Sequence, residues 1–375
     1  MRPISRRVFL ELTGAATLLS SGAVFAKGVE GRKFIFVILR GGMDGLSALI
    51  PDDPEMNGLR GPILPAVQER LDLQNGFRLH PSLAGVHSLY DLKEAAFIHA
   101  AATPFRGRSH FDGQDVLETL GKPGENSGWL NRSLQASGGE GLAVDYAIPL
   151  ALQGEAPVTN WSPPVFSGAS DELLARLSDL YSEDPVFSEA MASAQMTPNI
   201  TMGRKGRNRR KNYSILLEAM GRLMGAENGP NVGMVSLDGW DTHANQAGDL
   251  DRRFRQLNEG VLALKKELGI YWASTCVVVC SEFGRTAKAN GTRGTDHGTG
   301  GLVMLFGGSV NGGQIYGDWP GLRANQLFEG RDLAPANDIG AILKGVLRDH
   351  MGLDSRTLGA YIFPDSPRAL DRLIA

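Results

Sequence analysis

The sequence predicts an α/β protein, a doubly wound, mostly parallel sheet with helices on both faces and an irregular insertion or cap. Two observations carry this expectation. Five short runs are continuously apolar and rich in β-branched residues, as strands covered on both faces must be, and segments of helical periodicity lie between them. Glycine pairs such as Gly41-Gly42 and Gly300-Gly301 stand beside these runs, where the chain must turn tightly into or out of a strand.

The first run, 33–39, reads Lys-Phe-Ile-Phe-Val-Ile-Leu and stops at Gly41-Gly42. Runs of the same character follow at 95–100, 232–237, 276–280 and 302–306, with helical patterns at 82–93, 111–120, 213–224 and 251–268. The stretch from about 121 to 212 is less regular. It holds Trp161-Ser-Pro-Pro-Val165, a helical pattern at 171–181 and the basic run Arg204-Lys-Gly-Arg-Asn-Arg-Arg-Lys211, and it reads as an insertion on a single domain spanning 27–375. The basic run is expected to be a solvated surface segment. Cys276 and Cys280 share one predicted strand, which separates their Cα atoms by ~13 Å against a bridging limit of about 7 Å, so no disulfide is expected between them.

With 42% hydrophobic and 21% charged residues and a net charge of −3, the 375-residue chain has the composition of an ordinary globular protein. Such a balance gives no field that favours nucleic acid, and no nucleic-acid partner is expected. Ser5-Arg6-Arg7-Val8-Phe9-Leu10, followed by a Gly/Ala/Ser-rich apolar run to Ala26, predicts a twin-arginine signal over 1–26. The twin-arginine translocase is then a partner during export, and the mature chain is periplasmic or extracellular. The apolar run, interrupted by Glu11, Thr13 and Gly14, is too short for a stable span of ~20 residues.

Ligand-capable side chains gather just past the predicted strand ends. Asp44 follows the first strand, Ser109 the second, Asp238, Asp241 and His243 the third, and Glu282 the fourth, while Asp296-His297 precedes the fifth. In a doubly wound sheet the carboxyl ends of the strands share one crevice, and carboxylates with imidazoles there are the donors expected for Zn²⁺, Mn²⁺ or Mg²⁺. Taken singly, each has an ordinary role: an acid or Ser109 can cap a helix. Arg108 and Arg285 either clamp an anionic substrate or pair with the acids nearby. His80, His87, His99 and His350 have no motif around them and are expected to be structural. A phosphate loop and a Gly-x-Ser-x-Gly elbow are both missing.

Five ordered motifs, Leu39-Arg-Gly-Gly-Met-Asp-Gly45, Arg108-Ser-His-Phe-Asp-Gly-Gln-Asp115, Gly239-Trp-Asp-Thr-His243, Ser281-Glu-Phe-Gly-Arg-Thr286 and Gly294-Thr-Asp-His-Gly298, resemble an exported family known as domain of unknown function 1501. That family is similar to the alkaline phosphatase, sulfatase and cofactor-independent phosphoglycerate mutase superfamily. The resemblance implies an alkaline-phosphatase-like fold with one or two divalent metals. It makes Ser109 the nucleophile, Asp241, His243 and His297 first-metal ligands with Asp238 as the alternative carboxylate, and Asp44 and Glu282 second-metal acids. Phe283 departs from the superfamily pattern where a histidine often stands, which leaves Asp296 as a substitute or a single metal. A formylglycine sulfatase is not expected, because Ser109 lacks the Ser/Cys-x-Pro-x-Arg context. The implied function is hydrolysis or transfer at a phosphate or sulfate ester, with a small anionic ester or an envelope polymer as substrate. The alternative is a non-catalytic exported binding protein or envelope-complex subunit that keeps the fold.

Overall fold

A computed structural model describes residues 31–122, 124–163 and 212–375. The expected leader 1–26, the helical pattern 171–181 and the basic run 204–211 lie outside the described residues. In chain order the strands and longer helices are β1 (Lys33–Arg40), β2 (Leu49–Pro51), β3 (Leu71–Asp72), β4 (Phe77–Leu79), α1 (Ala84–Asp91), β5 (Ala95–Ala102), α2 (His110–Thr119), α3 (Trp129–Ser137), β6 (Gly141–Val144) and β7 (Val158–Trp161). They continue with α4 (Tyr213–Gly225), β8 (Val232–Asp238), α5 (Gln246–Leu268), β9 (Thr275–Cys280), β10 (Gly301–Phe306), β11 (Gln314–Tyr316), β12 (Asn337–Asp338) and α6 (Ile339–Met351).

Among the described residues the main sheet has nine strands in the order β11-β5-β10-β9-β1-β8-β6-β7, with β12 also on β5. All pairings are parallel except those of β10, which runs antiparallel to both β5 and β9. β2, β4 and β3 form a separate small sheet.

Strand β1 shows why helices cover both faces. Successive side chains of a strand point to opposite sides, so Ile35, Val37 and Leu39 join a core with α1, α4 and α5, while Phe34, Phe36 and Ile38 join one with α3 and α6. The five predicted strands and four predicted helices all form. The expectation of an insertion from about 121 is corrected in part. β6 and β7 pair in parallel beyond β8, so residues 141–161 extend the main sheet and do not cap it. Cys276 and Cys280 are free and buried.

Three of the motif-free histidines are structural. His80 Nδ1 accepts the Ser82 N–H at 3.2 Å, His99 Nε2 lies 2.8 Å from the Leu49 carbonyl, and His350 Nε2 lies 2.9 Å from that of Lys33. Burial pushes each from the ordinary 6.5 down to about 4. Between those values the unfolded chain takes up protons that the fold refuses. Their contribution to stability is therefore complete above about pH 6.5 and is lost as pH falls toward 4, amounting to about 3 kcal/mol for each residue at about 1.4 kcal/mol per pKa unit. Melting temperatures taken at steps through this window should fall with pH, and a His99→Asn chain should show a shallower fall; a flat profile would contradict the assignment.

Candidate metal centre

Four loops at one edge of the sheet build the site. The turn after β1 uses Gly41 and Gly42 at φ of 115° and 62°, a region open to glycine and costly for other residues, and turns both carbonyls toward Arg285. The segment after β9 lies against the one leading into β10, with Thr286 N–H donating to Asp296 O at 2.9 Å and Gly298 N–H to Gly284 O at 2.9 Å. A Cβ on Gly284 would sit 1.9 Å from Gly300 O, so only glycine permits this approach. Because β10 is antiparallel, the loop before it reaches the same edge as the loops that follow the parallel strands. That brings His297 to Asp241 and His243 after β8, and to His110 at the first position of α2.

His110, Asp241 and His297 bring one ligand atom each within 4.8 Å of one another. His243 stands beside this group, with Nε2 lying 2.8 Å from Asp241 Oδ1 and 3.0 Å from His297 Nε2. His297 Nε2 is 3.3 Å from Asp241 Oδ1, and His110 Nε2 is 3.5 Å from Asp241 Oδ2. Ligands at ~2.05 Å on a tetrahedral cation stand about 3.3 Å apart, so these spacings fit one ion.

The far nitrogens of the rings decide what the near ones offer. His110 Nδ1 donates to Glu282 Oε1 at 2.7 Å, His297 Nδ1 to the Arg108 carbonyl at 2.7 Å and His243 Nδ1 to Asp296 Oδ1 at 3.2 Å. A neutral imidazole that donates from Nδ1 carries its lone pair on Nε2, so three lone pairs and a carboxylate face one space. His110 Nε2 is buried and makes no hydrogen bond. Phe283, buried where a histidine was looked for, stacks on the His110 ring at 4.8 Å and 28° and fixes its plane.

Charge acts in opposite directions on two of the rings. Hydrogen bonding to Glu282 raises the His110 pKa, whereas burial lowers that of His297 and favours its neutral form. Burial works upward on Asp241, but the hydrogen bond and charge of Arg285 bring its carboxyl below the usual range.

The remaining sequence-predicted residues hold hydrogen-bond partners of their own. Asp44 divides its two oxygens, with Oδ1 buried and without a hydrogen-bond partner. Its Oδ2 takes hydrogen bonds from Ser47 Oγ at 2.7 Å and from Arg60 Nη1 and Gln246 Nε2 at 2.5 Å each. Burial works to raise its pKa, and the charge and hydrogen bond of the buried Arg60, with Ser47 and the charge of Arg285, together bring it below the usual range. Glu282 is likewise behind the site: Oε1 accepts from Gly41 N–H, His110 and Gln114, and Oε2 from Ser281 Oγ. Asp296 accepts from Asn290 and His243, and Ser109 caps α2 by accepting the Asp112 N–H at 3.3 Å.

Arg285 is 1% exposed and donates to the carbonyls of Gly41, Gly42, Trp240 and Thr295 and to Asp241 Oδ1 at 2.6 Å. It organises the loops and has no face left for a substrate clamp. Arg108 is on the rim, 3.2 Å from Glu329. Of the two carboxylates left open by the sequence, Asp241 joins the cluster and Asp238 ends β8.

Sequence reasoning missed His110. The available signal was a polar stripe, His110, Gln114 and Glu118, at four-residue spacing on one face of α2.

A model described as a protein of unknown function (DUF1501) matches residues 79–362. The chain belongs to the DUF1501 family. No curated protein matches it. Solved structures to which this DUF1501 chain is similar include the lipoteichoic acid synthase LtaP from Listeria monocytogenes, 10% identical over 90% of this chain and 76% of that one, with a TM-score of 0.40. The alkaline phosphatase of the Antarctic bacterium TAB5 is 12% identical over 73% of this chain and 91% of that one, at a TM-score of 0.35. Human ectonucleotide pyrophosphatase/phosphodiesterase 5 is 9% identical at a TM-score of 0.35, and the match spans 68% of this chain and 57% of that protein. Among the described residues no helix is long and apolar enough to cross a membrane.

Proposed function

We propose that this chain is an exported hydrolase or transferase acting on a phosphate or sulfate ester, with one divalent cation held by His110, His243, His297 and Asp241. The observation that carries the reading is the convergence of three imidazole Nε2 atoms, each ring anchored through Nδ1, on one carboxylate. Such a nitrogen-rich set suits Zn²⁺ or Mn²⁺ better than Mg²⁺, and Arg60 beside Asp44 argues for one ion and not two. A cation bound there supplies Lewis acidity toward an ester oxygen.

The chain's own residues have distinct tasks. Asp241 brings negative charge to the cluster, and Phe283 keeps the imidazole planes fixed. Ser109, one residue ahead of His110 at the N-terminus of α2, is the candidate nucleophile, and its single 3.3 Å hydrogen bond is long enough to exchange. Arg108, half exposed on the rim, is the candidate partner for the anionic ester oxygens.

The test is made on protein recovered outside the cytoplasm, which should begin at Lys27 after twin-arginine export. Loaded with Zn²⁺ or Mn²⁺, it should turn over activated phosphate or sulfate esters, and Ser109→Ala should slow it about a hundredfold or more. An unchanged rate in that variant would remove Ser109 from the mechanism. The use of the Ser109 hydroxyl as a helix cap favours the second reading, a non-catalytic exported binding protein or envelope-complex subunit. Cation-loaded protein that is inert toward both ester classes would put that reading in place of the first.

A further inference from the structure

We propose that Gln114 and Arg40 are positioning residues for this site, acting through Glu282 to hold His110 in the tautomer whose Nε2 lone pair faces Asp241. The proposal rests on the reading of the cluster as a cation site for its purpose, but not for its test.

An unbroken polar chain runs away from His110. His110 Nδ1 meets Glu282 Oε1 at 2.7 Å, and Gln114 Nε2 meets the same oxygen at 3.2 Å. Gln114 Oε1 then accepts from Arg40 Nη1 at 2.7 Å, and Arg40 Nη2 pairs with Glu118 Oε1 at 2.8 Å. Glu118 is 3% exposed, and its other oxygen accepts the Ala151 N–H at 3.0 Å. His110, Gln114 and Glu118 are spaced by four residues on α2, so one helix face carries three links of the chain and Arg40, at the end of β1, joins the last two.

The order of donors and acceptors along this chain has only one solution. A guanidinium has donors only, so Arg40 requires the amide oxygen of Gln114 on its side. That turns the Gln114 NH₂ toward Glu282. Glu282 Oε1 now receives Gly41 N–H, Gln114 NH₂ and His110, while Ser281 Oγ meets Oε2, so the carboxylate acts as acceptor throughout. The remaining contact must therefore be donated by His110 Nδ1–H, which in the neutral ring leaves Nε2 bare. Without Gln114 and Arg40 the Glu282 side chain loses one of its orienting donors and the ring loses part of what distinguishes its two nitrogens. Stacking on Phe283 alone does not choose, because a ring flip preserves it.

Two variants separate positioning from packing. Gln114→Leu removes the amide. Gln114→Glu keeps the shape and the Arg40 contact but turns an acceptor toward Glu282. Ring ¹⁵N spectra of the cation-free chain, recorded above the pH range where histidine is doubly protonated, should show His110 as the Nδ1–H tautomer in the parent and as a mixture in both variants. The His110 signal is assigned by its loss in His110→Asn. Zn²⁺ affinity should fall by about tenfold or more in both variants, as is usual for partners behind a metal ligand. An unchanged tautomer in both variants, or Zn²⁺ binding within about twofold of a parent that binds it, would overturn the proposal. If the parent binds no Zn²⁺, the cation reading fails, and the ring spectra still decide the positioning claim.

Discussion

Replacing His110 by alanine should empty the cation site. The parent chain should carry about one equivalent of Zn²⁺ or Mn²⁺ after loading and dialysis, and His110→Ala less than about a tenth of that. The expected loss is large because nothing else described near the gap offers a substitute donor. Glu282, the nearest carboxylate behind the ring, is held by the Gly41 N–H and by Gln114 and Ser281, and cannot move forward without leaving those donors unpaired. His297→Ala should act alike, whereas Asp44→Asn should leave metal content unchanged, since Asp44 faces Arg60. A ligand bound only by the folded state also raises its stability, so the added increment of melting temperature that the parent gains from metal should vanish in both histidine variants. Normal metal content in His110→Ala would exclude this residue as a ligand.

The sheet was legible because its strands are buried on both faces, and that requirement writes continuous apolar runs into the sequence. β6 and β7 escaped because each has four residues and they lie in an irregular stretch, where neither length nor composition distinguishes a strand from a loop. Asp241, His243 and His297 were legible from their positions at strand ends. Asp44 and Glu282 occupy strand ends too, yet face other partners. Whether a carboxylate meets a cation or a guanidinium is set by Arg60 and Gln246, which stand 16 and 202 residues from Asp44. No local pattern carries that information. His110 was hidden for the opposite reason: it opens a helix next to Ser109, and a hydroxyl at a helix N-terminus draws attention as cap or nucleophile. The polar stripe behind it gains meaning only once Arg40 and Glu282 are brought against it by β1 and β9.

The second large effect belongs to Arg285. Its guanidinium gathers the turn after β1, the loop after β8 and the loop before β10 through four backbone carbonyls, and it ties all three to Asp241. In Arg285→Met the side-chain volume is roughly kept, but the carbonyls of Gly41, Gly42, Trp240 and Thr295 lose this donor in a region closed to water. Removing one partner of a buried, hydrogen-bonded charge costs about 3–5 kcal/mol, so the melting temperature should drop by on the order of 5–10 °C. Asp241 is less exposed to that penalty, because its side chain is 41% exposed and can turn to solvent. Such a turn would carry the carboxylate away from His110 and His297, so metal content should fall together with stability. Arg285→Lys should restore little, since a single ammonium cannot reach carbonyls on three loops at once. Thermal melts and metal analysis of the two variants, set beside His110→Ala, separate the roles. His110→Ala should lose the metal with the smaller fall in cation-free melting temperature, and Arg285→Met should lose metal with the larger fall. An Arg285→Met chain that melts within about 2 °C of the parent and binds metal normally would show that the loops hold their places without the guanidinium.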